Sequence, residues 1–212
     1  MRPSSVRPLR TRKSDDAPER SDAELVLLAQ ACDPRAAAGL WDRYAPAVRA
    51  LLFRTLGPGW DLDDLVQEVF VGFFRNIASL RDPSVVRAFL FGIALRVART
   101  GLRKKRVRRW LHLSPSGHMP DIASSAHDPS SRAALFRLYA VLEELSDRDR
   151  LAFVLRHAEG YELTEIASAL GCSLATTKRC IARADEHVTR RALEEPLLQS
   201  YVSRQAKGDL LP

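Results

Sequence analysis

Apolar side chains recur at helical spacing through most of this 212-residue chain, and no stretch alternates in the way a β-strand would. The clearest pattern follows Asp61, a suitable N-cap, with Asp63 and Asp64 in the first turn, where the helix dipole favours negative charge. The apolar positions form one stripe, which consists of Leu62, Leu65, Val66, Val69, Phe70, Phe73 and Phe74. The pattern predicts a helix over 62–79 with an acidic, polar outer face.

The next predicted helix, over 84–109, has the opposite charge. Pro83 suits a first helical position, and the buried stripe that follows consists of Val86, Phe89, Leu90, Ile93, Ala94 and Val97. The helix ends in the run Arg103–Arg109, where six of seven residues are cations. This run could be only a solvated helix end, but it exceeds what capping needs, so contact with phosphate is favoured.

The remaining patterns divide the chain. Helices are predicted over 22–32 and 35–56, where Pro46 should kink the second helix or mark a join, so a four-helix unit occupies 21–110. Small and polar residues without periodicity fill 111–130, as is typical of an inter-domain linker. Four more helices are predicted over 131–193. We therefore expect an all-α protein of two small helical domains joined by a flexible linker, with a disordered basic arm at 1–20 and a tail at 194–212 that has no assigned role.

The second domain contains a helix-turn-helix pattern. A short apolar helix ends at Gly171, which supplies a tight turn, and Ser173 caps a following helix on which Thr177 faces back. The outward positions, which would reach phosphates or base edges in a major groove, are Thr176, Lys178, Arg179 and Arg183. The alternative is an ordinary helical hairpin with solvated charges, and the carboxylates of Asp185 and Glu186 count against DNA binding.

The charge is unevenly distributed. The net charge is +7, but residues 1–110 hold 21 Lys/Arg and 12 Asp/Glu (21 − 12 = +9), whereas residues 111–212 hold 12 and 14 (12 − 14 = −2). Attraction to a polyanion therefore resides in the first half. Three cysteines in no metal-ligand spacing favour a reduced, cytoplasmic protein. No apolar run reaches the roughly 20 residues of a membrane span, and the first residues do not form a secretory signal.

The acidic set Asp61, Asp63, Asp64 and Glu68 is a candidate metal or catalytic site. Asp64 and Glu68 lie one turn apart, but Asp63 and Asp64 diverge around the helix, so no cage of oxygens converges. Contact with a protein partner is the favoured role for these carboxylates. No nucleophile–base arrangement or phosphate-binding glycine loop is recognisable, so we expect no enzymatic activity, no metal and no cofactor.

Four segments in order resemble the bacterial RNA polymerase sigma factors of the extracytoplasmic-function type. They are Asp63–Phe70, Val86–Ala94, Leu142–Arg150 and the helix-turn-helix, and the resemblance covers about 21–193. It implies a non-catalytic factor that binds core RNA polymerase and directs it to promoter DNA. It also implies an anti-sigma partner, a monomeric free state and a location in the bacterial cytoplasm.

The resemblance implies roles for three sets of residues. The acidic helix would dock on the clamp helices of the largest polymerase subunit through Asp61, Asp63, Asp64, Gln67 and Glu68. The following loop and helix would hold the opened downstream promoter element, with a flipped base, through Arg81, Ser84, Arg87, Phe89, Arg96, Arg99, Arg103, Lys104 and Arg106. The helix-turn-helix would read the upstream element as duplex through Ser173, Thr176, Thr177, Lys178, Arg179 and Arg183. The linker would pass through the polymerase channel toward the RNA exit.

Some positions depart from the family pattern, so no promoter sequence is predicted. Phe89 stands where Trp is usual, Gly92 replaces a usual Arg, and Arg96 replaces a usual Asn. Cys180 and Asp185 occupy positions that are often basic. Two other functions stay open at this stage, namely a free-standing helix-turn-helix regulator and a metal-dependent nuclease. Burial of the acidic helix face, or occlusion of the cationic side of the helix-turn-helix, would contradict the sigma-factor prediction.

Overall fold

A computed structural model describes residues 20–110, 129–195 and 198–199. That part of the chain contains eight α-helices and no strand: α1 (Asp22–Gln30), α2 (Pro34–Leu56), α3 (Leu62–Asn76), α4 (Val86–Trp110), α5 (Pro129–Glu144), α6 (Asp147–His157), α7 (Leu163–Leu170) and α8 (Leu174–Glu194). The all-α prediction with a helix-turn-helix in the second half is confirmed. The predicted basic arm, nearly all of the predicted linker and most of the tail lie outside the described residues.

Local sequence signals set most helix ends. Asp33, Asp61, Ser146 and Ser173 each accept a hydrogen bond from a backbone N–H of the first turn that has no carbonyl partner within its helix. Helix α3 ends earlier and helix α4 begins later than predicted, because 3₁₀ turns at Ile77–Ser79 and Pro83–Val85 lie between the two helices. These turns shape the loop that precedes α4.

Pro46 lies within α2 and does not end the helix. Of the two predicted alternatives, a join is therefore excluded, and a kink at Pro46 stays a prediction. Proline lacks the N–H that would bond the carbonyl of Asp42, four residues earlier. Both residues are exposed, so water is available to that carbonyl and a continuous helix is tolerated.

Helices α1 to α4 form the first unit around an aromatic centre. The Phe70 and Phe73 side chains of α3 are almost fully buried, and the Trp41 ring of α2 lies 4.5 Å from Phe70, centroid to centroid. Burying such large apolar side chains is the main source of stability of the unit. It leaves the opposite, acidic side of α3 in water.

Helices α5 to α8 form the second unit, and it contacts the first. Leu151 and Leu155 of α6 belong to the same buried apolar cluster as the core of the first unit. Past the end of α8, Leu198 returns to pack against Ala134 and Ala192. The two predicted domains thus share a continuous core, a contact for which the sequence provided no signal.

Candidate functional site

The acidic face of α3 is open to solvent. Asp61, Asp63, Asp64, Gln67 and Glu68 are all exposed. The Asp61 carboxylate caps α3 by accepting the N–H of Asp64 at 3.1 Å, and Asp63 forms an ion pair with Arg49 of α2. Among the described residues, neither Asp64 nor Glu68 has an ion-pair partner, and no group of three potential metal ligands occurs. Their charge is therefore available to a partner.

An apolar groove flanks this acidic face, and sequence reasoning did not identify it. Val71 is 48% exposed, and its neighbours Trp41 and Phe74 are half-buried. Together with Gln67 and Phe70 they line a shallow groove between α2 and α3. The helical stripe of α3 predicted Phe74 to be internal, but the stripe is wider than the neighbouring helices can cover.

The loop before α4 is held by a distant side chain. The Gln30 amide of α1 donates to the carbonyls of Ile77 and Leu80, at 2.9 Å in each case. Arg81 and Ser84, the two predicted loop contacts, are exposed just beyond this anchor. The anchor fixes the start of the loop while its polar side chains remain accessible.

Helix α4 presents a row of cations. Arg87, Arg96 and Arg99 are exposed on the side that faces α7, and the Arg87 guanidinium lies 5.2 Å from the centroid of the Phe91 ring. Phe89 is only half-buried, with its ring 6.1 Å from that of Phe73. The arrangement combines exposed positive charge with part of an aromatic surface.

The basic end of α4 has a different environment. Arg103 and Lys104 are exposed, whereas Arg106 donates to the Leu145 carbonyl at 3.0 Å and pairs with Asp147 at 2.8 Å. Part of the predicted DNA-binding set is therefore occupied by contacts with the second unit.

The helix-turn-helix has the expected local geometry. Gly171 adopts the left-handed conformation (φ 60°, ψ 45°) that closes the turn, and the Ser173 hydroxyl accepts the N–H of Thr176 at 3.2 Å. Lys178 and Arg179 are exposed on α8, and Thr176 is half-buried.

One member of the predicted DNA-binding set is corrected by the structure. Thr177 is 0% exposed, and its hydroxyl donates to the Ser173 carbonyl at 3.2 Å. A side chain buried between the two helices does not reach a groove, so the prediction of DNA contact by Thr177 is wrong. Its spacing on α8 had already placed it on the inner face.

Arg183 is exposed but anchored. Its guanidinium donates to both carboxylate oxygens of Asp149 in α6, at 2.6 and 3.3 Å. Desolvation opposes ionisation of Asp149, which is 7% exposed, but hydrogen bonds from Arg183 and Ser146 outweigh it and lower the pKa of Asp149. Sequence reasoning missed Asp149 because it lies in a charged first turn that resembles a surface segment.

Comparison with known proteins gives two family matches and several relatives. Residues 40–108 match sigma-70 region 2, and residues 135–187 match sigma-70 region 4. The chain is 32% identical over 153 residues to the ferric citrate uptake sigma factor FecI of Escherichia coli K12, covering 69% of this chain and 85% of FecI. It is 27% identical over 188 residues to the ECF RNA polymerase sigma-E factor of the same strain, covering 84% of this chain and 97% of that factor.

Two solved structures share the fold. CnrH, solved in complex with the cytosolic domain of CnrY, has a TM-score of 0.56 and 25% identity, covering 80% of this chain and 95% of CnrH. RpoE of Bartonella quintana, solved with the anti-sigma factor NepR, has a TM-score of 0.52 and 23% identity, covering 71% and 92% of the two chains. The second likeness concerns the fold alone.

An acidic helix face, a cationic helix and a helix-turn-helix on one helical chain define a transcription factor with both protein-binding and DNA-binding surfaces. The chain belongs to the sigma-70 family, as a sigma factor of the extracytoplasmic-function type. It directs transcription initiation and is not an enzyme. Within the described residues, none of the helices has the length and apolarity to cross a bilayer.

Proposed function

We propose that the acidic face of α3 binds core RNA polymerase, at the clamp helices of its largest subunit. The observation that supports this most directly is that Asp64, Gln67 and Glu68 are exposed and that neither carboxylate has an ion-pair partner among the described residues. Carboxylates in this state steer and orient a basic partner surface. Asp61 and Asp63 belong to the same face, but capping and the Arg49 pair already use part of their charge.

The loop and α4 hold the downstream promoter element as an opened strand. Arg81 and Ser84 contact a base flipped out of the strand, and Arg87 with Phe89 offers charge beside a partly exposed ring. The backbone of the strand follows Arg96, Arg99, Arg103, Lys104 and Arg106. Each phosphate contact in this row contributes about 0.7 to the slope of log affinity against log salt for a single strand.

The helix-turn-helix binds the upstream element as duplex. Lys178 and Arg179 provide exposed donors, while Ser173 and Thr176 lie at the N-terminal end of α8, where the helix dipole favours a phosphate. Arg183 contributes from a fixed position because Asp149 holds its guanidinium. Thr177 supports the motif from inside and makes no contact with DNA.

The same proposal includes a protein partner for the free factor and its location in the cell. CnrH, at 25% identity, was solved with the cytosolic domain of CnrY, and by analogy we propose that this chain has a protein partner of its own, an anti-sigma factor. We propose that the free factor is a monomer that acts in the bacterial cytoplasm, where the polymerase and promoter DNA are found.

Charge reversal on α3 tests the polymerase contact. Asp64→Lys with Glu68→Lys should abolish co-elution with core enzyme and promoter-dependent transcription, because both changes replace attraction by repulsion. Glu186→Lys is the control, since it makes the same kind of change at an exposed position of α8. Thermal unfolding within a few degrees of the parent would show that folding is retained. Unchanged co-elution of the double variant would refute the assignment.

The two DNA contacts are separated by a second experiment. Lys178→Ala with Arg179→Ala should weaken recruitment to duplex promoter fragments, whereas Arg96→Ala with Arg99→Ala should reduce strand opening, measured by permanganate reactivity. Promoters would first be found by sequencing transcripts made by the holoenzyme on fragmented genomic DNA. Tight, specific duplex binding by the chain without polymerase would instead favour a free-standing regulator.

A further inference from the structure

The guanidinium of Arg183 on α8 is held by a carboxylate from a different helix. Its Nη2 donates to Oδ1 of Asp149 in α6 at 2.6 Å, and its Nε donates to Oδ2 at 3.3 Å. Such a two-point pair fixes the plane of the guanidinium as well as its position. The Asp149 side chain is mostly buried, whereas that of Arg183 is 58% exposed. A buried carboxylate therefore orients an arginine that remains accessible to a partner.

Cys180 supports the same orientation of the guanidinium. Its Sγ accepts from Nη2 of Arg183 at 3.5 Å, and Cys180 is fully buried about one turn earlier on α8. Burial also raises the pKa of this thiol, which keeps it uncharged. A cation at the same position would repel Arg183 and compete with it for Asp149. The small neutral thiol therefore leaves the pair between Arg183 and Asp149 undisturbed.

The remaining donors of Arg183 are available to a ligand. The contacts with Asp149 and Cys180 use Nε and Nη2, and no acceptor among the described residues contacts Nη1. Because the guanidinium is planar, Nη1 lies at the vertex opposite the edge that faces Asp149. Arg183 also shares one face of α8 with Thr176 and Arg179, at the spacing i, i+3, i+7. Two N–H donors are thus presented in a fixed direction on the face assigned to DNA.

This arrangement suits the edge of a base better than a phosphate. A phosphate contact gains mainly from net positive charge and from counterion release, and the Asp149 carboxylate cancels most of the charge of Arg183. A base edge is recognised by the direction of its donors and acceptors, so a fixed donor discriminates better than a mobile one. A wrong base would leave the oriented N–H groups of Arg183 without an acceptor in a desolvated contact.

We propose that Asp149 is a positioning residue for promoter selectivity, which aims Arg183 at the edge of one base pair of the upstream element. A guanine fits the free donors, because its O6 and N7 are adjacent acceptors in the major groove. The inference rests on the proposed function, which assigns the helix-turn-helix to the upstream element. Loss of the fixed orientation should reduce discrimination at that base pair on the order of tenfold, within the range of an arginine–base contact.

The test is a base-substitution profile measured with the holoenzyme. Each base pair of the upstream element of one promoter is replaced in turn, and binding is measured by competition with the parent promoter. Arg183→Ala should abolish discrimination at one base pair. Asp149→Asn should reduce discrimination at the same base pair, and should have little further effect when Arg183→Ala is already present. Asp185→Asn is the matched control: it makes the same change two residues beyond Arg183, where the partner is His157, and should leave the profile unchanged.

Each other outcome overturns the inference. A purely structural role of Asp149 would weaken binding to all promoter variants alike, with or without Arg183. A phosphate contact by Arg183 would appear as a uniform loss in Arg183→Ala, with a salt slope smaller by about 0.9. Arg183→Lys keeps the charge but loses the planar fork, so it should lose discrimination too, and it keeps the test informative if Asp149→Asn does not fold. Recruitment by Lys178→Ala with Arg179→Ala, measured in parallel, reports separately on the proposed function.

Discussion

Gly57→Ala should destabilise the protein because the added Cβ atom would clash with the ring of Tyr139. Gly57 has φ 76° and ψ −169°, a backbone region that is essentially restricted to glycine. A Cβ at this position would lie 2.6, 2.8 and 3.0 Å from three carbons of the Tyr139 ring. That ring cannot simply turn aside, because its hydroxyl donates to the Phe53 carbonyl and the residue is buried.

The magnitude follows from these separate terms. The unfavourable backbone conformation costs about 1–3 kcal/mol. Displacing Tyr139 would forfeit part of its edge-to-face contact with Phe53 and its hydrogen bond, each worth about 0.5–1.5 kcal/mol. The lower unfolded-state entropy of alanine returns about 0.4–1 kcal/mol. We expect the free energy of unfolding, measured by urea denaturation followed by circular dichroism, to fall by about 2–4 kcal/mol.

Two further variants isolate the cause. Gly92→Ala is the matched control, because Gly92 lies within α4 and an added Cβ meets no atom within 4 Å. Alanine in a helix interior should stabilise it by about 0.5–1 kcal/mol. Combining Gly57→Ala with Tyr139→Ala removes the clash but keeps the unfavourable backbone conformation. The double variant should therefore lose less free energy of unfolding than the sum of the losses of the two single variants. A stability for Gly57→Ala within about 0.5 kcal/mol of the parent would refute the reasoning.

Three other changes have expected outcomes. Asp149→Asn removes the charged partner of the Arg183 guanidinium. The pKa of Asp149 is lowered in the folded protein, so its carboxylate stabilises the fold above the usual pKa of about 3.9, and this stabilisation is lost as the pH falls through the lower folded value. The free energy of unfolding should therefore depend less on pH in this acid range in the variant than in the parent. Ile166→Ala, at a fully buried position of α7, should lower the free energy of unfolding by about 2–5 kcal/mol, against about 0.5 kcal/mol or less for the exposed Leu174→Ala. Gln30→Ala removes the hydrogen bonds to the Ile77 and Leu80 carbonyls, so amide hydrogen exchange at residues 77–85 should become faster. Opening of promoter DNA, measured by permanganate reactivity, should decrease, while co-elution with polymerase is retained.

The parts of the fold set by local chemistry could be predicted from the sequence. Asp61 and Ser173 each satisfy the first turn of their own helix, and Gly171 adopts the left-handed conformation that ends α7. These effects act over three or four residues and leave a direct trace in the chain. The acidic face of α3 follows equally from spacing, since its apolar stripe must turn inward and its carboxylates outward.

The contact between the units left no such trace. Asp147, Arg148, Asp149 and Arg150 begin α6 as four charged residues in succession, a pattern typical of a solvated first turn. In the structure Asp149 and Arg150 are buried, and each is paired with a group far away in sequence. Asp149 accepts from Arg183, 34 positions later, and Arg150 donates to the end of α2, about 95 positions earlier. Polar burial of this kind depends on which groups meet in space, and periodicity does not encode it.

Thr177 shows how two sequence arguments can disagree. Its spacing on α8 placed it on the inner face, whereas the family resemblance included it among the DNA contacts. The structure supports the spacing, because the side chain is buried and its hydroxyl donates to the Ser173 carbonyl. A resemblance carries over the position of a motif, but exposure is a property of each side chain within it.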